Sequence, residues 1–153
     1  MSDLGLTHVA FVVSDLAASL DFYERYAGMT TVHDRKEGNG ARVAWVTDRT
    51  RPFVVVLIQP PRSATLRRVL GRIGGRLVPS FAHLGVACKS REEVDERCDR
   101  ARREGILDRA ARDLGPPVGY FGLIRDPDGH TLEVAFGQDV GLAVQDGGIL
   151  SPS

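Results

Sequence analysis

The sequence predicts an α+β fold made of two tandem βαβββ modules in one structural domain. The main evidence is an internal repeat, because residues 7–15 (THVAFVVSD) and residues 82–90 (AHLGVACKS) begin alike and a helix-like segment follows each. A second observation is the Asp-Pro-Asp-Gly turn at residues 126–129, which separates two apolar, strand-like runs. The predicted organisation is module one over residues 5–60, a connecting helix over 61–79, module two over 80–137 and a loosely held tail over 138–153.

In module one, the β-rich apolar run over residues 8–13 predicts a buried strand. Ser14 and Asp15 then supply an N-cap for an amphipathic helix over residues 16–23, which Gly28 ends. Three more strands are predicted over residues 30–34, 41–47 and 53–59.

The segment between the modules has apolar residues at helical spacing, and five arginines occupy most of the remaining positions. It is predicted to be an amphipathic helix with a solvated basic face, and a phosphate or nucleic-acid site is the alternative. In module two, Ser90 is the predicted N-cap and Glu93 stands at the capping-box position of a helix over residues 91–104, which Gly105 closes. The later strands are predicted over residues 107–112, 119–125 and 130–136.

Composition and charge argue against several partner classes. The 20 basic and 20 acidic residues cancel, so no global field favours nucleic acid or an anionic membrane. No apolar stretch reaches the roughly 18 residues of a membrane span, and the N-terminus lacks the features of a signal peptide, so we expect a cytoplasmic protein. Cys88 and Cys98 lack metal-site spacing and are predicted to be packed, reduced thiols.

Three residues indicate a metal site. Glu133 lies in an apolar strand-like run, where an ionised carboxylate needs a nearby cation. His8 and His83 occupy equivalent positions of the repeat, so a pseudo-two-fold pairing of the modules would bring both imidazoles to one cleft. Two histidines and a carboxylate can bind one divalent metal and leave positions open for substrate, so we predict all three as ligands and Glu133 as catalytic. The other histidines, His33 and His130, are interpreted as turn residues.

The residues predicted to line a substrate pocket are Trp45, Phe53, Tyr120 and Arg42. Plain core packing is the alternative for Trp45 and Phe53. If the Asp-Pro-Asp-Gly turn is a two-residue hairpin, Tyr120 shares a sheet face with Glu133. A bulge at Gly129 would reverse that inference.

Two motifs resemble the vicinal-oxygen-chelate superfamily: HVAFVVSDLAASLDFY at residues 8–23, followed by Gly28-Met29, and RDPDGHTLEV at residues 125–134. That superfamily includes glyoxalase I, methylmalonyl-CoA epimerase, extradiol dioxygenases, fosfomycin-resistance transferases and bleomycin-resistance proteins. The resemblance covers about residues 5–137. It implies that the modules form a curled mixed sheet, with metal ligands on the first and last strands of each module. Its motifs are specific for the superfamily rather than for one activity.

The four ligand positions that the resemblance implies carry His8, Val56, His83 and Glu133. Because valine cannot bind a metal, the fourth protein ligand is absent, and Gln59 replaces it only if the strand register differs. The gap disfavours glyoxalase I and epimerase chemistry, which use a carboxylate or amide there. His-His-Glu resembles the extradiol dioxygenases, but those enzymes carry a tyrosine where Leu123 stands, and a histidine further upstream where this chain has glycine and proline.

The leading hypothesis is a metal-dependent enzyme in which Fe, Zn, Ni or Mn is chelated by two oxygens of a small substrate, with lyase, isomerase and dioxygenase chemistry open. The alternative is a metal-free protein of the bleomycin-resistance type that sequesters an aromatic small molecule. A pseudo-enzyme that keeps its metal site without turnover is a third interpretation. The expected partner is a small-molecule substrate, with a homodimer among the open oligomeric states; nucleic acid and membrane are not expected.

Overall fold

The computed structural model describes residues 8–61, 83–116 and 118–138. The described elements of module one are β1 (His8–Val12), α1 (Leu16–Ala27), β2 (Thr30–Lys36), β3 (Arg42–Thr47) and β4 (Val54–Gln59). Those of module two are β5 (His83–Ala87), α2 (Arg91–Arg103), β6 (Leu107–Asp113), β7 (Tyr120–Arg125) and β8 (Thr131–Phe136). The two tandem βαβββ modules predicted from the repeat are confirmed.

Each module forms one four-stranded sheet, with the orders β1-β4-β3-β2 and β5-β8-β7-β6. In the first sheet β1 is parallel to β4, whereas the other neighbours are antiparallel. The chain packs as two compact units. The described residues up to His83 form one unit together with residues 125–131, and the other described residues form the second. The turn between β7 and β8 therefore packs with module one, although it lies within module two in the sequence.

In module one, α1 packs on one face of the sheet against β3 and β4. Its residues Phe22, Tyr23 and Tyr26 are almost fully buried, as are Val55 and Leu57 of β4. Burying side chains of this size stabilises the fold by about 1.5–3 kcal/mol each. This core fixes which face of the sheet is turned away from α1.

The face turned away from α1 carries a row of paired residues: Ala10, Val56, Trp45 and His33. Trp45 is 42% exposed. His8 lies on this face as well, because it stands two residues before Ala10 in β1. The first predicted ligand and an exposed tryptophan therefore share one sheet face.

Local signals set the ends of both helices as predicted. The Asp15 side chain accepts a backbone hydrogen bond at the start of α1, and Gly28 ends that helix in the left-handed conformation with φ 64°. At α2, Ser90 Oγ accepts from Glu93 N at 3.3 Å, and the Glu93 carboxylate accepts from Lys89 N at 2.6 Å. The first bond satisfies a backbone donor that the first helical turn leaves open, and the second ties the residue before the N-cap to the helix.

In module two, α2 packs on one face of the sheet through Cys98. A Cβ atom at Gly122 of β7 would lie 2.3 Å from Cys98 Sγ, so the helix can approach this closely only over glycine. Tyr120, two residues earlier on the same face, donates its hydroxyl to Asp95 of α2 at 2.5 Å. Cys98 and Cys88 are free and buried, as predicted, and burial raises the pKa of Cys98 to about 11 and also raises that of Cys88.

The hairpin between β7 and β8 contains a bulge. Gly129 N donates to Asp126 O at 3.0 Å, and Asp126 N donates to His130 O at 2.9 Å. Gly129 has φ 87°, so residues 126 and 130 form the pair and Gly129 is the extra residue. Counting outwards from this pair places Leu123 opposite Glu133.

The interpretation of His33 as a turn residue is wrong, because His33 lies within the strand predicted over residues 30–34, which forms as β2 and pairs with β3 as far as Lys36 and Arg42. Almost all of the predicted connecting helix and of the C-terminal tail lies outside the described residues. Within the described ranges, no helix is long and apolar enough to cross a membrane.

Candidate functional site

Glu133 leaves β8 on the sheet face away from α2. Its cross-strand neighbour is Leu123, and directly opposite residues share a face. A Cβ atom at Gly122, one residue before Leu123, would point at α2, so Leu123 and Glu133 point the other way. The same face carries a buried apolar cluster formed by Phe121, Leu123 and Ala135.

The carboxylate of Glu133 is buried, with 7% of the residue exposed. Gln138 Nε2 donates a hydrogen bond to Glu133 Oε1 at 2.6 Å. The burial predicted from the apolar flanks of Glu133 is therefore confirmed. The side chain is a buried acidic group beside apolar residues of the same sheet face.

His83 lies on the same face of the sheet as Glu133. Cys88 N donates to Ala135 O at 2.7 Å, repeating the bond that joins the ends of β1 and β4 in module one at 2.9 Å. The pairing of β5 with β8 therefore has the same register as the pairing of β1 with β4. In that register, His83 of β5 and Glu133 of β8 lie on the same face of their sheet. His8 holds the equivalent position in β1, and both histidines are exposed.

An imidazole and a carboxylate on one sheet face are chemically suited to a divalent metal. Across the described ranges, however, no three or more His, Cys, Asp or Glu side chains form a group that could hold one ion. His8 belongs to the other sheet. The ligand set of His8, His83 and Glu133 therefore stays a prediction.

The fourth ligand position is occupied by hydrocarbon. Val56 is half-buried on the sheet face that carries His8. Gln59 lies on the α1 side instead, where its Oε1 accepts a hydrogen bond from Leu16 N at 2.7 Å. Gln59 thus caps the start of α1 and does not share the face of Val56.

Trp45 is the predicted pocket residue with the most accessible ring. It lies opposite Val56 in the sheet, and its ring centroid is 4.9 Å from that of His33. The two rings are inclined at 46°, and Trp45 is 42% exposed. Together they form an aromatic surface on the His8 face.

Arg42 and Phe53 make contacts that stabilise the fold. Arg42 lies opposite Gln59, on the α1 side of β3, and its guanidinium pairs with Asp34 at 2.7 Å. Phe53 is half-buried just before β4, and its carbonyl accepts a hydrogen bond from the Thr47 hydroxyl at 2.8 Å. Neither residue has a contact that singles it out for substrate binding.

Tyr120 does not share the face of Glu133. The two-residue hairpin on which that expectation depended does not form, because the bulge at Gly129 shifts the register by one residue. Tyr120 lies on the α2 side, with the Arg91 guanidinium 4.8 Å from its ring centroid. The hydrogen bond to Asp95 raises the pKa of Tyr120.

Sequence reasoning missed a buried polar network around Asp126. The side chain of Asp126 is 0% exposed and accepts hydrogen bonds from the Tyr23 hydroxyl at 3.0 Å and from His130 Nδ1 at 2.8 Å. The backbone N–H groups of Asp128 and His130 also donate to it. The Asp126 bond is the main reason that the pKa of His130 is raised, while burial is the first cause that raises the pKa of Tyr23. The His130 ring stacks on Phe11 at 4.9 Å.

The same turn also contacts the start of α1. The carboxylate of Asp128 accepts from Ser14 N at 3.0 and 3.1 Å through its two oxygens. The acidic turn sequence signals a group of hydrogen-bond acceptors, but Tyr23 lies 103 residues from Asp126. Nothing local in the sequence identifies such distant donors.

A family model of the Glyoxalase/Bleomycin resistance protein/Dioxygenase superfamily matches residues 5–134. The chain is 34% identical over 138 residues to the Uncharacterized protein PA2024 of Pseudomonas aeruginosa, which covers 89% of this chain and 91% of that protein. The trypanothione-dependent glyoxalase I of Leishmania major superposes with a TM-score of 0.65 at 15% identity over 95% of both chains. A mutant of the fosfomycin resistance protein FosX of Listeria monocytogenes, solved with Mn(II) and dihydroxypropylphosphonic acid, gives a TM-score of 0.63 at 16% identity over 94% of this chain and 99% of that one. The paired βαβββ modules and the family match together show that this chain belongs to the glyoxalase/bleomycin resistance protein/dioxygenase superfamily.

Proposed function

We propose that this protein is a metal-dependent enzyme that binds a small substrate through two of its oxygens. The observation that carries the proposal is the buried carboxylate of Glu133, which shares a sheet face with His83. Burying an ionised carboxylate costs stability, and a bound cation would offset that cost.

The proposed ligands are His8, His83 and Glu133, holding one divalent ion of Fe, Zn, Ni or Mn. When bound, the ion would polarise substrate oxygens and stabilise the negative charge that develops on them. Gln138 orients the carboxylate by its hydrogen bond to Oε1. Val56 offers no donor at the fourth position, which leaves room for substrate beside the ion. Lyase, isomerase and dioxygenase chemistry all fit this arrangement.

Among the predicted pocket residues, Trp45 is the one that we assign to substrate contact. Its exposed ring lies on the His8 face, whereas Arg42, Phe53 and Tyr120 make the structural contacts described above. Trp45 is also the single tryptophan of the chain, so its fluorescence reports directly on this face.

The second candidate function is a metal-free protein that sequesters an aromatic molecule. The pairing of Trp45 with His33 on an exposed sheet face favours it, because aromatic rings stack on such surfaces. In that case a neutral aromatic probe such as 2-naphthol should change Trp45 fluorescence equally with and without chelator.

Metal analysis and melting curves decide between the two. The wild type, purified without chelator, should contain close to one ion per chain, and it should lose about 2.7 kcal/mol of stability when chelator removes metal that had been a hundredfold above Kd. Glu133→Gln should lose both the ion and the chelator effect while remaining folded. Val56→Glu should bind Zn²⁺ or Ni²⁺ more tightly, because it adds a fourth anionic ligand.

Glu96→Gln is the matched control, since Glu96 is an exposed residue of α2 and the substitution changes the same atoms. It should keep the metal content and melting behaviour of the wild type. A wild-type melting temperature that does not respond to metal or chelator would exclude the enzyme and favour the sequestering protein.

We further propose a homodimer and a cytoplasmic location. The buried, unpaired thiols of Cys88 and Cys98 suit a reducing compartment. Light scattering after size-exclusion chromatography tests the dimer, and fluorescence microscopy of a tagged chain tests the location.

A further inference from the structure

Strand β6 stands at the edge of the second sheet, and its pairing with β7 is irregular. Arg109 lies opposite Leu123 and Arg112 lies opposite Phe121, with register shifts on both sides of Arg109. Residues three apart in a regular strand point to opposite faces. Here three residue steps along β6, from Arg109 to Arg112, match two residue steps along β7, so the two arginines point to the same face.

That face is the one that carries Glu133. Since directly opposite residues share a face, Arg109, Leu123 and Glu133 form one row across three neighbouring strands. The Arg112 guanidinium lies 5.5 Å from the centroid of the Phe121 ring, which agrees with this direction. Two cations therefore stand on the same side of the sheet as the buried carboxylate.

Both arginines are exposed, and neither forms an ion pair with an acidic side chain of the described residues. Asp113, which follows Arg112, pairs instead with Arg91 of α2 on the opposite face. Within the described part of module two, the charges of Arg109 and Arg112 are thus available to a ligand.

We propose that Arg109 and Arg112 bind an anionic oxygen group, a carboxylate or a phosphate-type group, on the molecule whose other end reaches Glu133. Only the part of this inference that concerns the Glu133 end of the ligand rests on the proposed function. The planar guanidinium donates two parallel hydrogen bonds to either kind of anion. Strand β6 lies two strands from β8, about 9–10 Å across the sheet, so the ligand carries its anionic group several bonds away from its metal-binding oxygens.

Protection of a sheet edge is the simpler explanation for charged residues on β6. It requires charge on the edge strand but no particular face. The register shifts turn both arginines toward the face of Glu133, whereas a regular strand would have placed one of them on the α2 side. A binding role accounts for this placement.

The test uses phenylphosphonate and benzoate as anionic probes and benzyl alcohol as the neutral one, with binding followed by NMR titration of the full-length protein. Both anions, or the one whose geometry fits, should bind more tightly than benzyl alcohol. High salt should weaken the binding of the anions. The double variant Arg109→Gln/Arg112→Gln should bind the preferred anion about tenfold more weakly, and each single variant should lose part of that affinity. Arg102→Gln/Arg103→Gln removes the same charge from exposed positions of α2 and should bind as the wild type does.

Equal affinity for anions and the neutral probe, or an anion affinity that survives the double variant, would overturn the inference. Metal content, measured on the same samples, keeps the two proposals apart. Anion binding that depends on Arg109 and Arg112 in a protein that binds no metal supports the anion site and refutes the metal enzyme. Metal binding without any preference for anions supports the metal enzyme and refutes the anion site. A preference for phenylphosphonate indicates a phosphate-type group, and a preference for benzoate indicates a carboxylate.

Discussion

Replacing Tyr23 by phenylalanine should destabilise the protein far more than the loss of one oxygen atom from a surface would. Tyr23 is 1% exposed, and its hydroxyl donates to Asp126, whose side chain is 0% exposed. Water therefore has no access to replace the lost donor. A hydrogen bond to a charged group contributes about 1.5–3 kcal/mol, and phenylalanine keeps the packing of the ring, so the free energy of unfolding should fall by about that amount.

Tyr120→Phe provides the matched control. The same atom is removed, but the acceptor Asp95 is exposed and its interactions are screened by solvent. Its loss should cost about 0–1 kcal/mol. Urea unfolding followed by Trp45 fluorescence and by circular dichroism measures both variants, and the dependence on urea concentration should keep the wild-type slope.

The comparison of the two variants is decisive. If Tyr23→Phe costs no more than Tyr120→Phe, the buried bond to Asp126 does not stabilise the fold as the geometry implies. If the urea slope of Tyr23→Phe changes, the substitution has altered the compactness of the native or unfolded state, and the cost can no longer be assigned to one hydrogen bond.

Two further predictions concern the second module and the turn. Gly122→Ala should destabilise the fold by about 1–3 kcal/mol, because its Cβ would meet Cys98 Sγ, and Cys98→Ala in the same chain should recover most of the loss in urea unfolding. A loss that Cys98→Ala does not relieve would contradict this assignment. His130→Gln should remove a pH-dependent part of the stability: the Asp126 bond raises the pKa of His130, so its contribution is complete below the ordinary value of about 6.5 and disappears as pH rises through the raised value. The difference in unfolding free energy between wild type and His130→Gln should therefore shrink with rising pH, and a difference independent of pH would refute this.

Most of the secondary structure could be predicted because its signals are local. The caps at Asp15 and Ser90 lie where the sequence places them, and the repeat gives both modules the same element order. The exception at His33 has a physical reason. All of β2 is exposed, so the strand shows no apolar alternation, and only its pairing with β3 reveals its extent.

The site was less predictable because its contacts are tertiary or depend on register. Burial of Glu133 followed from its apolar neighbours, but the bond to Gln138 did not. The direction of Arg109 and Arg112 depends on the irregular register in which β6 pairs with β7. No periodicity within β6 could show that both point to one face.

Gly129 determines which face of the second sheet carries the Glu133 carboxylate. With a two-residue turn, Glu133 would lie opposite Gly122 and point at Cys98 and α2. Gly129 adds one residue, in a left-handed conformation that costs other residues about 1–2 kcal/mol, and moves Glu133 opposite Leu123 on the other face. Because side chains alternate with a period of two, a shift of one residue is the smallest change that can turn the carboxylate away from the helix. The turn therefore helps to position the candidate site, although none of its residues is a proposed ligand.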